Sequence, residues 1–336
     1  MNRWWSILSR DFVFEGLELY IQNPKITDIN FNGKDLWLDH LEKGRIGIEN
    51  FLHASAMMML CVRFSNLVNL PFNNHNPIVE ADYKDIRVSI IHPSVSGRLS
   101  LSIRKTPPVM RISEQVIKDT SYMSLSALKF LKYCVRSRCN VIVSGLPGSG
   151  KTELVKFLTS FISDDERVIS IEDSYELRYQ DLHPNRDCVS LKVNERFDYD
   201  DALKASLRQR PNWILVSEVR GKEVRNLLNS VSTGTYLLST IHAKGAREIP
   251  LRMLYMMESV DLSSEVVLER LYDAIDIGVH IDLRIDESGI HRYVREIVHF
   301  DEGEASLIYH YKTQRLVRSV PSGVKERASL FGVVFK

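Results

Sequence analysis

The spacing of hydrophobic and polar residues divides the chain into two regions with different rhythms. In the first region, the amphipathic stretch FVFEGLELYIQN predicts a helix, and TDINFNG and DLWLDH predict two strands joined by an Asn-Gly turn. An apolar helical segment follows from Phe51 to Val68, and DIRVSIIHP and RLSLSIRK predict two more strands. These elements favour a small α+β domain.

The rhythm changes after the Pro107-Pro108 pair, where KTPPVMRIS breaks the periodicity and indicates a linker. Strands predicted at NVIVSG, RVISIED, WILVSE and YLLSTIHA then alternate with predicted helices, and SSEVVLERLYDAI, IDIGVHIDL and HRYVREIVHF add one helix and two strands. Such alternation is typical of an α/β fold with a parallel sheet covered by helices. We predict an α+β N-terminal domain over residues 1–111 and an α/β domain over residues 112–336. The segment beyond Tyr311 carries no clear pattern.

Composition narrows the class of protein. Hydrophobic residues make up 44% and charged residues 26% of the 336 residues, which is ordinary globular usage and excludes a disordered, collagen-like or coiled-coil chain. The 44 Lys and Arg against 43 Asp and Glu give a net charge of +1, so no overall field favours a nucleic acid. We therefore expect no strong direct binding of nucleic acid, although a local basic groove is compatible with that sum.

Cysteine usage and hydropathy indicate the compartment. Four scattered cysteines without a zinc-like spacing favour reduced thiols over disulfides or structural zinc. The N-terminal MNRWWSILSRDF lacks the apolar core of a leader, and no apolar run approaches about 18 residues. We expect a cytoplasmic protein that touches a membrane only peripherally, through its partners.

The most specific motif is GLPGSGKT, which matches the complete phosphate-loop pattern between a predicted strand and a predicted helix. Its glycines let backbone N–H groups converge on phosphate oxygens, and the helix N-terminus adds a favourable dipole. Lysine in this position reaches the β- and γ-phosphates, and the following hydroxyl can ligate Mg²⁺. The motif predicts an ATP and Mg²⁺ site formed by Gly145, Gly148, Ser149, Gly150, Lys151 and Thr152.

Acidic residues follow the next predicted strand. IEDSYEL places Glu172, Asp173 and Glu176 at its carboxyl end, where ligands of open α/β sheets bind. Carboxylates there suit nucleotide binding, the positioning of an attacking water and the outer shell of Mg²⁺. A helix cap with solvated charges is the alternative for each residue.

Two further strand ends supply candidates. WILVSE ends in Glu218, as a Walker B strand does, and its carboxylate suits a Mg²⁺-bound water. Arg220 suits a phosphate or a neighbouring subunit. His242 follows the strand YLLSTI at the same sheet edge, as a polar sensor or as a structural histidine.

Four segments of the chain resemble, in the same order, the motifs of the secretion traffic ATPases. They are GLPGSGKT, IEDSYEL, LRQRPNWILVSEVRG and STGTYLLSTIHA. This superfamily drives type IV secretion and conjugation, type II secretion and type IV pili. The resemblance extends from about Asp11 to His299. The short chain, which has no tetracysteine insertion, is most similar to the VirB-type ATPases of type IV secretion systems.

The resemblance implies a RecA-like P-loop ATPase domain, a smaller N-terminal domain, and ATP held between the two. It also implies a hexameric ring that contacts inner-membrane components of a secretion or pilus machine. Glu176 would orient the attacking water and Glu218 would fill the Walker B role. Arginines directed at the nucleotide would be Arg87, Arg104, Arg208 and Arg220.

Closure of the N-terminal domain would then gate hydrolysis, since an added arginine is worth about 10³ to 10⁵ in the rate of phosphoryl transfer. For Arg104, the basic end of an edge strand is the alternative.

Two departures from the family pattern affect catalysis. Asn212 stands where Arg-Pro-Asp is usual, which weakens a metal role at that position, and Thr235 stands where a histidine is usual, which removes a chargeable sensor. Three other functions stay open: a pilus or type II secretion motor, a RecA-like nucleic-acid motor, and a non-catalytic nucleotide-gated assembly protein. Near-neutral charge disfavours the nucleic-acid motor.

Overall fold

The computed structural model describes residues 14–221, 223–257 and 263–335. The chain divides into two compact units, one made of residues up to Pro107 with Ile285–Ile290 and one made of Pro108–Arg284 and the residues from His291 onwards. Residues 1–13, on which the expectation of no leader rests, lie outside the described ranges. No helix within these ranges has the length and apolar composition to cross a bilayer.

The first unit contains an antiparallel sheet with the strand order β3-β2-β1-β6-β5-β4. Alternate residues such as Ile29 and Phe31 share one buried core with Cys61 and Phe64 of the long helix. Its elements are α1 (Glu18–Gln22), β1 (Ile26–Phe31), β2 (Leu36–His40), β3 (Gly44–Ile48), α2 (Ala54–Leu67), β4 (Ile78–Tyr83), β5 (Ile86–Ile91), α3 (Pro93–Ser96) and β6 (Ser100–Lys105).

The second unit contains a sheet with the strand order β14-β13-β12-β7-β11-β10-β8-β9. Its elements begin with α4 (Glu114–Thr120), α5 (Leu125–Arg136), β7 (Val141–Gly145), α6 (Lys151–Thr159), β8 (Val168–Glu172), α7 (Tyr179–Leu182), β9 (Cys188–Lys192), α8 (Tyr199–Leu207) and β10 (Trp213–Val219). They continue with α9 (Val224–Ser232), β11 (Tyr236–Ile241), α10 (Ile249–Met256), α11 (Ser264–Ala274), β12 (Ile277–Asp286), β13 (Gly289–Asp301), β14 (Glu304–His310) and α12 (Ser322–Leu330).

The parallel part of this sheet explains where a site forms. Strands β9, β8, β10, β11, β7 and β12 run parallel, so their carboxyl ends meet at one edge. Strands β7, β8 and β10 are buried at every residue, because separate hydrophobic clusters cover the two faces of the sheet. The predicted α/β organisation with a parallel sheet is confirmed.

Four strands that the sequence pattern did not predict lie at the sheet edges. They are β3 and β4 in the first unit and β9 and β14 in the second. Strand β9 has no fully buried residue, and β3 alternates only between partly and fully exposed positions. Edge strands bury less apolar surface, so their hydrophobic pattern is weak.

The segment beyond Tyr311, in which no sequence pattern is clear, contains helix α12. Val324 and Ala328 of this helix are buried in the core of the second unit. Arg327 donates a hydrogen bond of 2.9 Å to Asp276 Oδ2, and the guanidinium of Arg138 lies 3.6 Å from the centroid of the Phe331 ring. The C-terminal segment is therefore part of the second unit.

Candidate functional site

The phosphate loop connects β7 to α6, as predicted, and its glycines are required by the backbone. Gly148 and Gly150 have φ angles of 75° and 93°, which side-chain-bearing residues rarely adopt. A Cβ atom on Gly145 would lie 2.6 Å from the carbonyl oxygen of Ile281. The hydroxyl of Ser149 is buried and has no hydrogen-bond partner among the described residues. The loop thus combines a tight backbone with a buried polar atom suited to an oxygen-rich ligand.

Lys151 lies against this loop with its ammonium group half-enclosed. Its Nζ atom donates to the carbonyl oxygen of Gly145 at 3.2 Å and lies 3.3 Å from Nδ1 of His242. Burial lowers the pKa of Lys151, and the carboxylates of Glu218 and Glu176 act in the opposite direction. The partly desolvated ammonium group of Lys151 therefore lies where phosphate oxygens of a nucleotide could replace the loop carbonyls as its partners.

A chain of charged side chains joins the ends of three neighbouring strands. Nε2 of His242, after β11, lies 2.6 Å from Oε1 of Glu218 on β10. Arg220 donates from Nε to Glu218 Oε2 at 2.8 Å and from Nη1 to Asp173 Oδ2 at 2.7 Å. Asp173 follows β8, so the strand order itself brings these four residues together.

The two glutamates of the IEDSYEL segment occupy different environments. Glu172 is buried, and its Oε2 accepts hydrogen bonds from the N–H groups of Glu176 at 2.8 Å and Leu177 at 2.6 Å. Glu176 is partly exposed, and its Oε2 accepts a hydrogen bond of 3.2 Å from the hydroxyl of Thr152. Glu172 therefore holds the turn that presents Glu176 to the start of α6.

Burial raises the pKa of Glu172 to about 7, although the backbone N–H groups lower it. The folded protein keeps a proton that the unfolded chain loses above about 4.5, so stability falls as the pH rises from about 4.5 to about 7. A Glu172→Gln variant keeps an acceptor for both N–H groups but has no titrating proton. The wild type therefore loses stability that this variant keeps. As the pH is raised from about 5 to about 8, we expect the free energy of unfolding of the variant to increase relative to that of the wild type by on the order of 2 kcal/mol.

Urea denaturation at the two pH values measures this difference. The matched control is Glu326→Gln on α12, where the residue is exposed. Parallel pH profiles of the Glu172→Gln variant and the wild type would contradict the assignment.

Three further predicted arginines lie on β5, on β6 and at the end of α8. In the first unit, Arg87 is paired in register with Arg104, and Arg104 Nε donates to Asp28 at 3.0 Å. Strand β6 lies between β1 and β5, so the interpretation of Arg104 as the end of an edge strand is wrong. Arg208 caps the exposed carboxyl end of α8, five residues before β10 begins. It therefore lies toward the other end of β10 from Glu218.

The two departures from the family pattern also lie at the amino ends of strands. Asn212 precedes β10, and its Oδ1 accepts a 2.8 Å hydrogen bond from the Arg167 N–H. Thr235 precedes β11, whereas His242 follows it. A strand of six residues is roughly 20 Å long, so neither position adjoins the phosphate loop. Both side chains belong to the packing at the opposite edge.

The structure adds Arg292 of β13, which the sequence did not single out. Its Nε atom donates a 2.9 Å hydrogen bond to the carbonyl oxygen of Gly148 in the phosphate loop. Burial lowers the pKa of Arg292. The two residues are 144 positions apart in the chain, so the alternating pattern of HRYVREIVHF could predict the strand but not this contact.

The predicted metal ligands, Thr152 and Glu218, suit Mg²⁺ chemically, since both offer oxygen atoms. In the described ranges, no group of three or more His, Cys, Asp or Glu side chains is arranged to hold a metal ion. The donor set fits the way Mg²⁺ binds to NTPases, through a few protein oxygens together with phosphates and water.

Comparisons with known proteins agree with this geometry. Residues 72–276, more than half of the chain, match the family model described as type II/IV secretion system protein. The type IV secretion system protein VirB11 of Brucella suis is 26% identical over 326 residues, which cover 86% of this chain and 90% of the relative. The conjugal transfer protein TrbB of Rhizobium radiobacter is 28% identical, and the match covers 67% of this chain and 66% of TrbB.

Among solved structures, the pilus retraction motor PilT with bound ADP has a TM-score of 0.61 at 18% identity, covering 98% of this chain and 89% of PilT. At this identity the likeness concerns the fold. The predicted RecA-like P-loop domain with a smaller α+β N-terminal domain is confirmed.

Proposed function

Because the chain belongs to the type II/IV secretion system protein family, we propose that it is an ATPase that powers substrate transport or pilus assembly in a type IV secretion or conjugation system. The observation that carries the proposal is that residues of the phosphate loop and residues at the ends of neighbouring strands meet at one edge of the sheet. Lys151 and Thr152 of the phosphate loop lie within hydrogen-bond distance of His242 and Glu176, respectively, and His242 in turn contacts Glu218.

The residues of the loop bind the nucleotide. Bound ATP supplies the phosphoryl group, and Mg²⁺ neutralises charge on its phosphates. Lys151 exchanges its carbonyl partners for phosphate oxygens, with Gly145, Gly148, Ser149 and Gly150 providing the surrounding backbone. The hydroxyl of Thr152, which now donates to Glu176, would be a ligand of Mg²⁺. Glu172 and Asp173 support this site indirectly, through the Glu176 turn and through Arg220.

Hydrolysis then depends on the carboxylates of Glu176 and Glu218. Glu176 orients the attacking water, and Glu218, in the Walker B role, would hold a water bound to Mg²⁺. His242 contacts both Lys151 and Glu218, so it senses the state of the phosphates. Arg220 holds Glu218 and Asp173 at a fixed separation before the nucleotide binds.

Arginines outside this cluster complete the proposed machine. Arg87 and Arg104 of the first unit reach the phosphates when the N-terminal domain closes, and Arg208 acts on a neighbouring subunit's nucleotide. An arginine that acts on the nucleotide of a neighbouring subunit requires a closed ring of subunits, which we propose is a homo-hexamer. The ring works in the cytoplasm, at the inner face of the inner membrane, in contact with membrane components of the secretion or pilus machine.

The proposal is tested by phosphate release and by assembly. Purified chain is expected to hydrolyse ATP and, with a non-hydrolysable ATP analogue, to form a ring-sized particle rather than a 38.7 kDa monomer. Static light scattering measures the particle. A chain that stays monomeric with saturating analogue at high protein concentration would contradict the ring, and the absence of phosphate release would contradict the ATPase.

A further inference from the structure

A cavity lies beside the phosphate loop, toward β12 and β13 and away from Glu218. It has a volume of about 630 Å³ and lies among residues of β12, β13 and β14 and the turns at Thr120 and Ser121. The cavity is large enough for a small ligand. All of its lining residues belong to the second unit.

The lining of this cavity is basic. Its cations are Arg284, Arg292, Arg295 and Lys312, and no acidic residue is among the lining residues that the structure describes. Two histidines, two hydroxyl residues and two tyrosines complete it. Within a chain of net charge +1, such a concentration of donors creates a local positive potential.

The tyrosines add a second recognition element. The rings of Tyr293 and Tyr311 have centroids 4.3 Å apart with planes inclined by 39°. Among the described residues, the Lys312 ammonium group has no ion-pair partner, whereas Arg295 is held by Asp282 at 3.2 Å. The cavity therefore combines a fixed guanidinium, an available ammonium and aromatic surface, which together suit a phosphate-bearing anion.

Arg292 connects this cavity to the nucleotide site. Its guanidinium lines the cavity while its Nε atom holds the carbonyl oxygen of Gly148. An anion that draws on this guanidinium alters the hold on the loop, and its charge also repels the phosphates of a nucleotide. The two sites should therefore weaken each other, and thermodynamic linkage requires the effect to be reciprocal.

We propose that this cavity is a second anion site, separate from the ATP site, which binds a phosphate group carried either by a small molecule or by a single-stranded nucleic acid. Occupation of the site lowers the affinity of the phosphate loop for nucleotide through Arg292. The coupling rests on the proposed nucleotide binding; the second site itself does not.

The test uses the full-length chain saturated with ADP and Mg²⁺, so that the phosphate loop is occupied. Inorganic pyrophosphate and a single-stranded oligothymidylate are the two probes, titrated by calorimetry and by fluorescence anisotropy, respectively. The variant is Lys312→Glu, and the control is Lys325→Glu, which makes the same charge change on an exposed residue of α12. We expect at least one probe to bind the wild type and the control, and its affinity to fall at least about tenfold in the Lys312→Glu variant.

The probe whose binding depends on Lys312 identifies the source of the phosphate group: pyrophosphate indicates a small molecule, and the oligothymidylate indicates a single-stranded nucleic acid. As a second measurement, the occupied site is expected to raise the dissociation constant of the ATP analogue by about fivefold in the wild type but not in the Lys312→Glu variant. Binding of both probes unchanged by Lys312→Glu would overturn the proposal. The proposal would also be overturned if Lys312→Glu weakened the binding of ATP but not the binding of inorganic triphosphate. The cavity would then hold the base of the nucleotide whose phosphates occupy the phosphate loop.

Discussion

A Glu218→Gln variant is expected to bind ATP with nearly wild-type affinity and to hydrolyse it about 10² to 10³ times more slowly. Glu218 is buried at the end of β10, between His242 at 2.6 Å and Arg220 at 2.8 Å. Glutamine keeps the shape and one acceptor oxygen but removes the negative charge that aligns both partners. Since this charge matters most in the transition state of phosphoryl transfer, the substitution should lower kcat rather than nucleotide affinity.

Fluorescence titration with a nucleotide analogue and a phosphate-release assay separate the two quantities. Glu269→Gln, on the exposed face of α11, is the matched control and should keep the wild-type rate. Thermal unfolding of each variant checks that the fold is intact. Wild-type turnover by a folded Glu218→Gln protein would refute the role of this carboxylate.

A Lys151→Ala variant is expected to lose nucleotide binding as well as hydrolysis. Its ammonium group is the cation beneath the phosphate loop, in contact with Gly145 and His242. Burial weakens its hydration, so its attraction for a phosphate is stronger than that of an exposed lysine. We expect the dissociation constant for ATP to rise about 10² to 10³-fold, and turnover to fall at least as far.

Lys129→Ala is the control, since Lys129 is an exposed residue of α5. The two variants are compared by the same titration and phosphate-release assays. Undiminished turnover in folded Lys151→Ala protein would remove the basis of the proposed ATPase. A wild-type chain that binds ATP without releasing phosphate would instead favour the nucleotide-gated assembly protein.

The predictable parts of the molecule are those that one short segment encodes. The phosphate loop is set by glycines and a lysine within eight positions, and the central strands are set by runs buried on both faces. The burial of Glu172 could not be predicted from the residue pattern, because it is decided by the turn that the carboxylate itself stabilises. A buried glutamate and an exposed one look the same in a sequence.

Contacts between distant segments were equally hidden. Periodicity reports which face of a strand is buried, but it carries no information about which neighbour that face meets. The Arg292 bond to Gly148 and the α12 contact with Asp276 both depend on such neighbours. The edge strands were missed for a different reason, since their hydrophobic signal is weak in itself.

The position of β7 between β11 and β12 determines when the site can exist during synthesis. The loop after β7 is enclosed on one side by Glu218 of β10 and His242 after β11, and on the other by Ile281 and Arg292. Ile281 and Arg292 are translated more than a hundred residues after the loop. A nascent chain that has produced only the phosphate loop therefore has an unsupported glycine turn. We therefore expect nucleotide to be bound only after β12 and β13 have been synthesised and have packed beside β7 and its loop.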